Sequence, residues 1–176
     1  ISLGLVGSEM CIRDRLKACD DFDKYMEGMV QVKKLLPNTK FILMVYENTV
    51  EEIGEKKFVD FCLENDYRDI ILVGLKDETL KNRMIENNLR VSCYVQFQLM
   101  EREVEYALKS NGFVYLQAVP APNQINPAYP ELKDCIRYLR GRGLKNPIYC
   151  GVGVHTPQNA SMVKSAGADA ALSLIH

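Results

Sequence analysis

The sequence predicts an α/β fold: a TIM (β/α)8 barrel that is incomplete, with about six of the eight βα units present. Along most of the 176-residue chain, apolar runs of strand length alternate with amphipathic stretches of helix length. Buried strands separated by helices imply parallel pairing through right-handed crossovers. Each unit takes about 20–35 residues, in keeping with a barrel of about 250 residues. A doubly wound open sheet is the alternative, because the pattern alone does not show closure.

Six strands are predicted from near-continuous apolar runs. They are KFILMVY at 40–46, DIILVGL at 69–75, RVSCYVQF at 90–97, GFVYLQAV at 112–119, PIYCGVGV at 147–154 and the start of a strand in ADAA at 168–171. Apolar residues at helical spacing predict the intervening helices, with one more helix before the first strand. These helices are centred on residues 22–36, 49–65, 80–85, 100–108, 132–139 and 156–167.

Composition and charge exclude several classes of protein. Hydrophobic residues make up 47% and charged residues 26% of the chain, as in ordinary globular proteins. The formal net charge of −1 gives no electrostatic basis for binding nucleic acid or an anionic membrane surface. The longest apolar runs have the length of strands and are too short to cross a bilayer. We therefore expect a cytoplasmic protein without nucleic-acid or membrane partners.

The six cysteines do not form a recognisable metal or disulfide pattern. None belongs to a Cys-x-x-Cys pair, and those beyond Cys11 each lie in an apolar stretch. The pattern favours buried free thiols in a reducing cytoplasm and no metal site. The cysteines concerned are Cys19, Cys62, Cys93, Cys135 and Cys150.

The two ends of the chain have matching coding sequences and are expected to lie outside the natural protein. Met10–Arg15 can be encoded by ATGTGTATAAGAGACAG, and the reverse complement of that string encodes Leu172–His176. The string resembles a transposase adapter used in sequencing libraries. We therefore expect residues 1–15 and 172–176 to be translated adapter, and residues 16–171 to be a partial TIM-barrel domain that lacks its N-terminal third.

The stretch CGVGVHTPQNASMVKSAG, residues 150–167, is the most informative for function. A strand ends in Gly151-x-Gly153, while Thr156 and Pro157 are typical of the N-cap and the first position of a helix. Glycine lets the backbone approach a ligand closely, and a helix N-terminus favours anions. This pattern suits a phosphate site, although a tight turn that uses glycine fits these residues equally well.

This stretch and its neighbours resemble the tryptophan synthase alpha chain family. CGVGVHTPQNASMVKSAGADAA is similar to the family's Gly-Phe-Gly-Ile-Ser/Thr-x-Pro-Glu-Gln turn after strand seven, which is followed by Gly-Ala-Asp-Gly. MVYENTVEEIGEKKFVDFCLENDYRDIILVGL resembles the third strand, helix and fourth strand, and GFVYL resembles the sixth strand. The resemblance covers nearly all of residues 16–171. It implies a substrate site that includes Gly151, Gly153 and Tyr115, which stands at the family's pocket-lining tyrosine.

The resemblance implies a lyase of tryptophan biosynthesis that cleaves indole-3-glycerol phosphate to indole and glyceraldehyde 3-phosphate. In that family, a carboxylate pair on the second strand and the following loop performs the acid/base steps. Those positions precede Leu16, so no catalytic residue is assigned here, and the chain is expected to be inactive by itself. No cofactor and no metal are expected in this chain. Pyridoxal phosphate would belong to the beta chain, the expected partner besides a small phosphorylated substrate.

Three segments depart from the family pattern and keep alternatives open. Gly74 and Lys76 stand where the family has aspartate and proline, QFQLM replaces a proline-rich strand end, and VPAPNQINPAYP replaces a Gly-Val-Thr-Gly loop. One alternative is another phosphate-binding TIM-barrel enzyme, of the thiamine phosphate synthase or sugar-phosphate aldolase type. The other is a diverged paralogue that binds a ligand or partner without turnover.

Individual charged residues are interpreted as solvated, with functional alternatives. His155 is interpreted as a loop histidine, with an auxiliary phosphate contact as the alternative. Glu47 is interpreted as a loop glutamate, and its alternative is a substitute catalytic carboxylate at the end of a barrel strand. The runs EEIGEKK and KDETLKNR are interpreted as exposed helix faces.

Overall fold

Helices and strands alternate along the chain as the sequence predicts. The structure is a computed structural model that describes residues 21–74, 76, 78–121 and 124–172. The strands are β1 Ile42–Tyr46, β2 Asp69–Val73, β3 Arg90–Val95, β4 Val114–Gln117, β5 Ile148–Gly151 and β6 Ala170–Ala171. The helices are α1 Phe22–Leu35, α2 Glu47–Ile53, α3 Glu55–Glu64, α4 Thr79–Glu86, α5 Glu101–Leu108, α6 Leu132–Gly141 and α7 Pro157–Ser165. The segments interpreted as translated adapter lie outside the described residues apart from Leu172, and so do Cys11 and Cys19.

The described strands form one parallel sheet in the order β1-β2-β3-β4-β5-β6. Each strand pairs in parallel with its neighbour in sequence; Tyr94, for example, pairs with Tyr115, and Tyr115 with Tyr149. A doubly wound sheet reverses its strand order at a switch point, and this sheet does not. The continuous order is that of a barrel wall, which confirms the predicted partial TIM barrel and contradicts the doubly wound alternative.

The two faces of the sheet have different coverings. Alternate strand residues such as Leu72 and Leu116 pack with helix residues in two apolar clusters on one face. The residues between them, including Ile71, Phe113 and Tyr115, form a third cluster composed of strand and loop residues. Because successive strand residues point to opposite faces, the third cluster marks the inner face, towards the barrel axis.

Most helices bury the face that the sequence predicts, and one predicted helix is divided. In α6 the buried residues recur at helical spacing, at positions 132, 135, 136 and 139. The segment predicted as a single helix over 49–65 is instead α2 and α3, because Gly54 between them adopts φ +92°. A left-handed glycine ends the first helix and allows the second to start in a new direction. No helix of the described residues is long and apolar enough to cross a membrane.

Lys81 corrects the interpretation of KDETLKNR as an exposed helix face. Its side chain is fully buried, and its Nζ donates a hydrogen bond to the Tyr106 carbonyl oxygen at 3.2 Å. The same Nζ lies 4.0 Å from the centroid of the Tyr106 ring. Burial lowers the pKa of this amine. The ring and the carbonyl are the partners that a buried cation needs, since an isolated charge in the core is strongly destabilising.

The cysteines in the described part of the chain are buried and free, as their apolar surroundings predict. Burial raises the pKa of Cys62 and Cys150 to about 12, and the pKa of Cys93 and Cys135 to about 11. Thiols of this kind are poor nucleophiles and behave as small apolar side chains. Over the same described residues, no group of three or more His, Cys, Asp or Glu side chains is arranged to hold a metal ion.

The buried thiols should make the protein less stable at alkaline pH. An unfolded thiol ionises near a pKa of 9.0, whereas folded Cys150 stays protonated up to about 12. The folded state then binds more protons above pH 9, so the free energy of unfolding falls by about 1.4 kcal/mol per pH unit for each such thiol. We expect urea unfolding above pH 9 to show this loss, with a shallower slope in a Cys150→Ala variant. Equal slopes in the parent and the variant would contradict the assignment.

Candidate functional site

The predicted site residues lie together on the inner face of the sheet, where β4 and β5 approach their carboxyl ends. Tyr115 belongs to β4, and Gly151 is the last residue of the adjacent β5. A β-carbon placed on Gly151 would lie 2.4 Å from atoms of the Tyr115 ring and its hydroxyl oxygen. The tyrosine ring therefore occupies the space that a side chain at position 151 would need, and this packing by itself requires glycine there.

The Tyr115 hydroxyl lies close to the backbone of Val152 in the turn that follows β5, and the side chain is only 1% exposed. Burial raises the pKa of Tyr115 to about 12, and the nearby Val152 N–H opposes this rise. Tyr115 is therefore a neutral phenol near pH 7, as an ordinary tyrosine is, and its ring and hydroxyl pack against the start of the turn at Gly151.

The turn contains two successive residues in the left-handed region, Val152 at φ +53° and Gly153 at φ +91°. A β-branched residue rarely adopts a positive φ, and strain of this kind costs on the order of 1–3 kcal/mol. Backbone hydrogen bonds from the end of β4 and its loop offset the strain. Val119 N–H donates to the Val152 carbonyl at 3.2 Å, and Ala118 N–H donates to the Gly151 carbonyl at 2.6 Å. Strained backbone that is held by its surroundings is found preferentially at functional sites.

Glycine is required at position 153 for two reasons, its backbone conformation and the nearby Val119 side chain. Besides its positive φ, a β-carbon at this position would lie 2.6 Å from the β-carbon of Val119. Two independent constraints thus keep the backbone at position 153 free of a side chain. A bare backbone is the condition for close approach of a ligand to a main-chain amide.

The N-terminus of α7, predicted to favour an anion, is capped by its own side chains. Thr156 Oγ1 accepts from the Asn159 N–H at 3.1 Å. Asn159 Oδ1 in turn accepts from the N–H groups of Thr156 and His155, at 3.1 and 3.2 Å. This is a capping box, with Pro157 at the start of the helix. The cap therefore uses the N–H groups of His155, Thr156 and Asn159, and the phosphate site at the turn of residues 151–153 stays a prediction.

The two charged residues interpreted as solvated have different environments. His155 is exposed beside the α7 cap, in agreement with that interpretation. For Glu47 the interpretation is wrong, because its side chain is only 3% exposed. Its Oε1 accepts from the Tyr106 hydroxyl at 3.0 Å, and its Oε2 accepts from the Lys76 N–H at 2.9 Å. Tyr106 belongs to the helix-packed cluster, so this carboxylate is directed to the outer layer of the fold.

Aromatic side chains line the inner face next to the turn. The ring centroids of Tyr94 and Tyr115 are 5.6 Å apart, and Phe113 stacks on Tyr149 at 4.4 Å. Burial raises the pKa of Tyr94, so this side chain also remains a neutral phenol. An aromatic wall beside a glycine turn suits a ligand that has a flat apolar ring at one end and an anionic group at the other.

Tyr94 and Val152 are further candidate site residues that the sequence reasoning missed. The sequence does carry a signal for Tyr94. Side chains of a strand alternate between its two faces, so Tyr94 lies on the same face as Ser92, two positions earlier in RVSCYVQF. Together with the parallel register that pairs it with Tyr115, this alternation places it on the inner face. The left-handed conformation of Val152 has no sequence signal, since valine disfavours that region.

The two loops that depart from the family pattern after β3 and β4 are tied to each other by side-chain amides. Asn126 Nδ2 donates to the Gln98 carbonyl at 2.9 Å. The buried Gln117 side chain accepts from the Phe97 N–H at 3.1 Å and donates to the Val119 carbonyl at 3.0 Å. These bonds order the rim of the site without the glycine turn that the family pattern has in the second loop.

Comparison with protein families and curated proteins gives one consistent result. A family model described as the tryptophan synthase alpha chain matches residues 13–173. The tryptophan synthase alpha chain of Staphylococcus carnosus is 24% identical over 143 residues, which are 78% of this chain and 57% of that protein. The tryptophan synthase alpha chain of Staphylococcus aureus strain bovine RF122 is 26% identical over 131 residues, 71% of this chain and 53% of that protein. The chain therefore spans somewhat more than half the length of these relatives.

Solved structures agree in fold. Tryptophan synthase subunit alpha from Legionella pneumophila has a TM-score of 0.72 and 23% identity, over 94% of this chain and 62% of that one. A chain of the tryptophan synthase complex from Pyrococcus furiosus has a TM-score of 0.72 and 16% identity, over 98% of this chain and 72% of that one. At these identities the likeness establishes the barrel fold alone.

Gly151→Ala should destabilise the protein through the Tyr115 ring. The added β-carbon would overlap the ring, and overpacking of this kind costs about 1–3 kcal/mol. In a Tyr115→Ala background the same substitution should cost less, because the obstructing ring is absent. A double-mutant cycle of urea unfolding should therefore give a coupling of about 0.5–3 kcal/mol.

The matched control for this cycle is Gly141→Ala, at the end of α6. A β-carbon at Gly141 would meet no atom within 4 Å, so alanine there should be neutral or slightly stabilising. Strictly additive effects of the Gly151 and Tyr115 substitutions would show that the two positions do not pack together as described.

Proposed function

The chain belongs to the tryptophan synthase alpha chain family, and we propose that the full-length protein cleaves indole-3-glycerol phosphate to indole and glyceraldehyde 3-phosphate in tryptophan biosynthesis. Tyr115, Gly151 and Gly153 contribute to the substrate site. We assign the acid/base steps to carboxylates on the second barrel strand and its loop in the full-length protein, as the family resemblance implies. We assign substrate binding and orientation to the described residues, and we assign none of the proton-transfer steps to them.

The contact between Tyr115 and the turn after β5 is the observation that supports this function best. It brings the aromatic wall of the inner face next to a backbone turn with glycine at positions 151 and 153. Indole-3-glycerol phosphate has matching parts, a flat indole ring and a phosphate joined by a short glycerol chain. A mostly apolar pocket with a few polar groups binds such a ligand by burying the ring and fixing the charged end.

The reaction chemistry also assigns different roles to the aromatic residues and to the carboxylates. Cleavage of the carbon–carbon bond needs a proton delivered to indole C3 and a proton removed from a hydroxyl of the glycerol chain. Tyr94 and Tyr115 are protonated near pH 7, as ordinary phenols are, and burial raises both pKa values further. We therefore assign these phenols to holding the indole ring and excluding water from it, while the carboxylates carry the protons.

We further propose that the released indole passes to a tryptophan synthase beta chain, which holds the pyridoxal phosphate. The solved relatives include a tryptophan synthase complex, that of Pyrococcus furiosus. The loops after β3 and β4 expose Met100, Val119 and Ile125, apolar side chains that suit a partner surface. No cofactor is assigned to this chain, and the cytoplasm is the proposed location of the protein.

Gly153→Val in the full-length protein should weaken binding of a phosphorylated ligand far more than binding of indole. The valine would meet Val119 and cover the backbone that we assign to the phosphate. We expect the Kd of glycerol phosphate to rise by about tenfold or more, while the Kd of indole changes by less than about threefold, in calorimetric titrations. His155→Ala is the matched control, because the imidazole is exposed and has at most an auxiliary role. A folded Gly153→Val protein with unchanged affinity for glycerol phosphate would mean that Gly-x-Gly is only a turn.

The full-length protein should also produce glyceraldehyde 3-phosphate from indole-3-glycerol phosphate, measured in a coupled dehydrogenase assay. Addition of a tryptophan synthase beta chain should raise the rate if the partner assignment is right. A folded protein that binds glycerol phosphate but shows no turnover would instead support the diverged paralogue, which the altered loops favour.

A further inference from the structure

The departures from the family pattern at Gly74 and Lys76 meet at one buried side chain, Glu47. This carboxylate follows β1 directly and has a donor on each oxygen, the Tyr106 hydroxyl on Oε1 and the Lys76 N–H on Oε2. A buried carboxylate with both oxygens satisfied is held in one orientation, since loss of either donor would leave part of the charge unpaired. The Glu47 side chain is therefore held in one position between β1 and the loop after β2.

Gly74 gives Glu47 the space that it occupies. A β-carbon on Gly74 would lie 2.4 Å from Oε2 of Glu47 and 2.6 Å from its carboxyl carbon. Gly74 also has φ +143°, a conformation that residues with side chains rarely adopt. The carboxylate therefore lies against bare backbone at the end of β2, in the volume that a side chain at position 74 would fill.

Lys76 completes the arrangement through its backbone. Its N–H is the group that Oε2 of Glu47 accepts from, and proline at this position would have no such donor. The Lys76 carbonyl accepts from Arg102 Nη2 at 2.9 Å, which ties the same residue to α5. The loop after β2 is thus anchored to the segment after β1 by Glu47 and to the segment after β3 by Arg102.

Tyr106 supports Glu47 from the opposite side and links it to a buried cation. The Tyr106 hydroxyl donates to Glu47, while its carbonyl and ring face Lys81 Nζ. Burial is the main cause that raises the pKa of Tyr106, and the negative charge of Glu47 adds to it, so the phenol remains the donor. Glu47 and Lys81 therefore share Tyr106 as a common partner, which reduces the cost of burying both charges.

We propose that Glu47 is a positioning residue for the lyase reaction: it fixes the loop after β2 at the mouth of the barrel by binding the Lys76 N–H over Gly74. The proposal rests on the proposed function. The substitutions at Gly74 and Lys76 are then one compensated change, in which glycine makes room for the carboxylate and a residue other than proline supplies its donor. Active sites of such barrels lie at the carboxyl ends of the strands, where this loop begins.

The test is Glu47→Ala in the full-length protein, with kcat and KM for indole-3-glycerol phosphate measured separately. Alanine removes the acceptor of both the Lys76 N–H and the Tyr106 hydroxyl, whereas glutamine could keep both bonds because a hydroxyl also accepts from an amide N–H₂. We expect kcat to fall by about tenfold through lost alignment. KM should change by less than about threefold, because the phosphate turn is on β5, away from β2. Amide hydrogen exchange of Lys76 should accelerate by about tenfold as its acceptor is lost.

Two further variants keep the test decisive. Glu51→Gln removes the exposed ion partner of the Lys76 side chain and should leave kcat, KM and exchange unchanged. If Glu47→Ala does not fold, Tyr106→Phe, which removes only the donor to Oε1, should also lower kcat, by a smaller factor. A folded Glu47→Ala or Tyr106→Phe protein with the parent's kcat would overturn the proposal. A parent without lyase activity would count against the proposed function alone, and unchanged Lys76 exchange in Glu47→Ala would still overturn the positioning role.

Discussion

The contact of Tyr115 with the turn after β5 fixes the geometry on which the candidate site depends. The sheet is wound in one direction, so β4 and β5 are neighbours and their carboxyl ends meet at one edge. The Tyr115 ring then fills the space over Gly151, and backbone hydrogen bonds from Ala118 and Val119 hold the next residue, Val152, in a strained conformation. The strain is local, and the rigid β4–β5 pair maintains it. In the proposed site the indole ring lies against the aromatic wall that includes Tyr115, and the phosphate lies at Gly153, where Val119 leaves no room for a side chain.

The outer layer of the fold contains a buried polar network between β1 and the neighbouring elements. Glu47 and Lys81 carry opposite charges and both contact Tyr106, so neither is isolated in the apolar layer. Ser110 Oγ also donates to the Tyr106 carbonyl, at 2.9 Å. Networks of this kind stabilise a unique arrangement only when every member is satisfied, and no buried side-chain polar atom in the described part of the chain lacks a partner. In the proposed account, the inner face provides the ligand surface and the outer layer fixes the loops that surround it.

Periodicity was sufficient to predict the alternating elements, and the resemblance was sufficient to identify the barrel, because both depend on apolar spacing along the chain. The break at Gly54 was missed because an apolar face continues across it, whereas the backbone conformation does not. The burial of Glu47 and Lys81 was missed for a related reason. Charged residues are normally solvated, and tertiary contacts such as those with Tyr106 reverse that preference here. Position 151 could be singled out from the sequence, but its reason, the Tyr115 ring, lies 36 residues earlier in the chain, on the neighbouring strand.

An amide NMR titration of the full-length protein tests most directly whether Tyr115 and the β5 turn form one substrate site. Glycerol phosphate should shift the backbone amides of residues 151–153 in a saturable manner, and indole should shift the ring resonances of Tyr94 and Tyr115. The two ligands should bind together without competing, since they occupy adjacent parts of one pocket. Saturable shifts by glycerol phosphate that leave residues 151–153 unaffected and appear elsewhere in the protein would contradict the assignment of this turn to the phosphate.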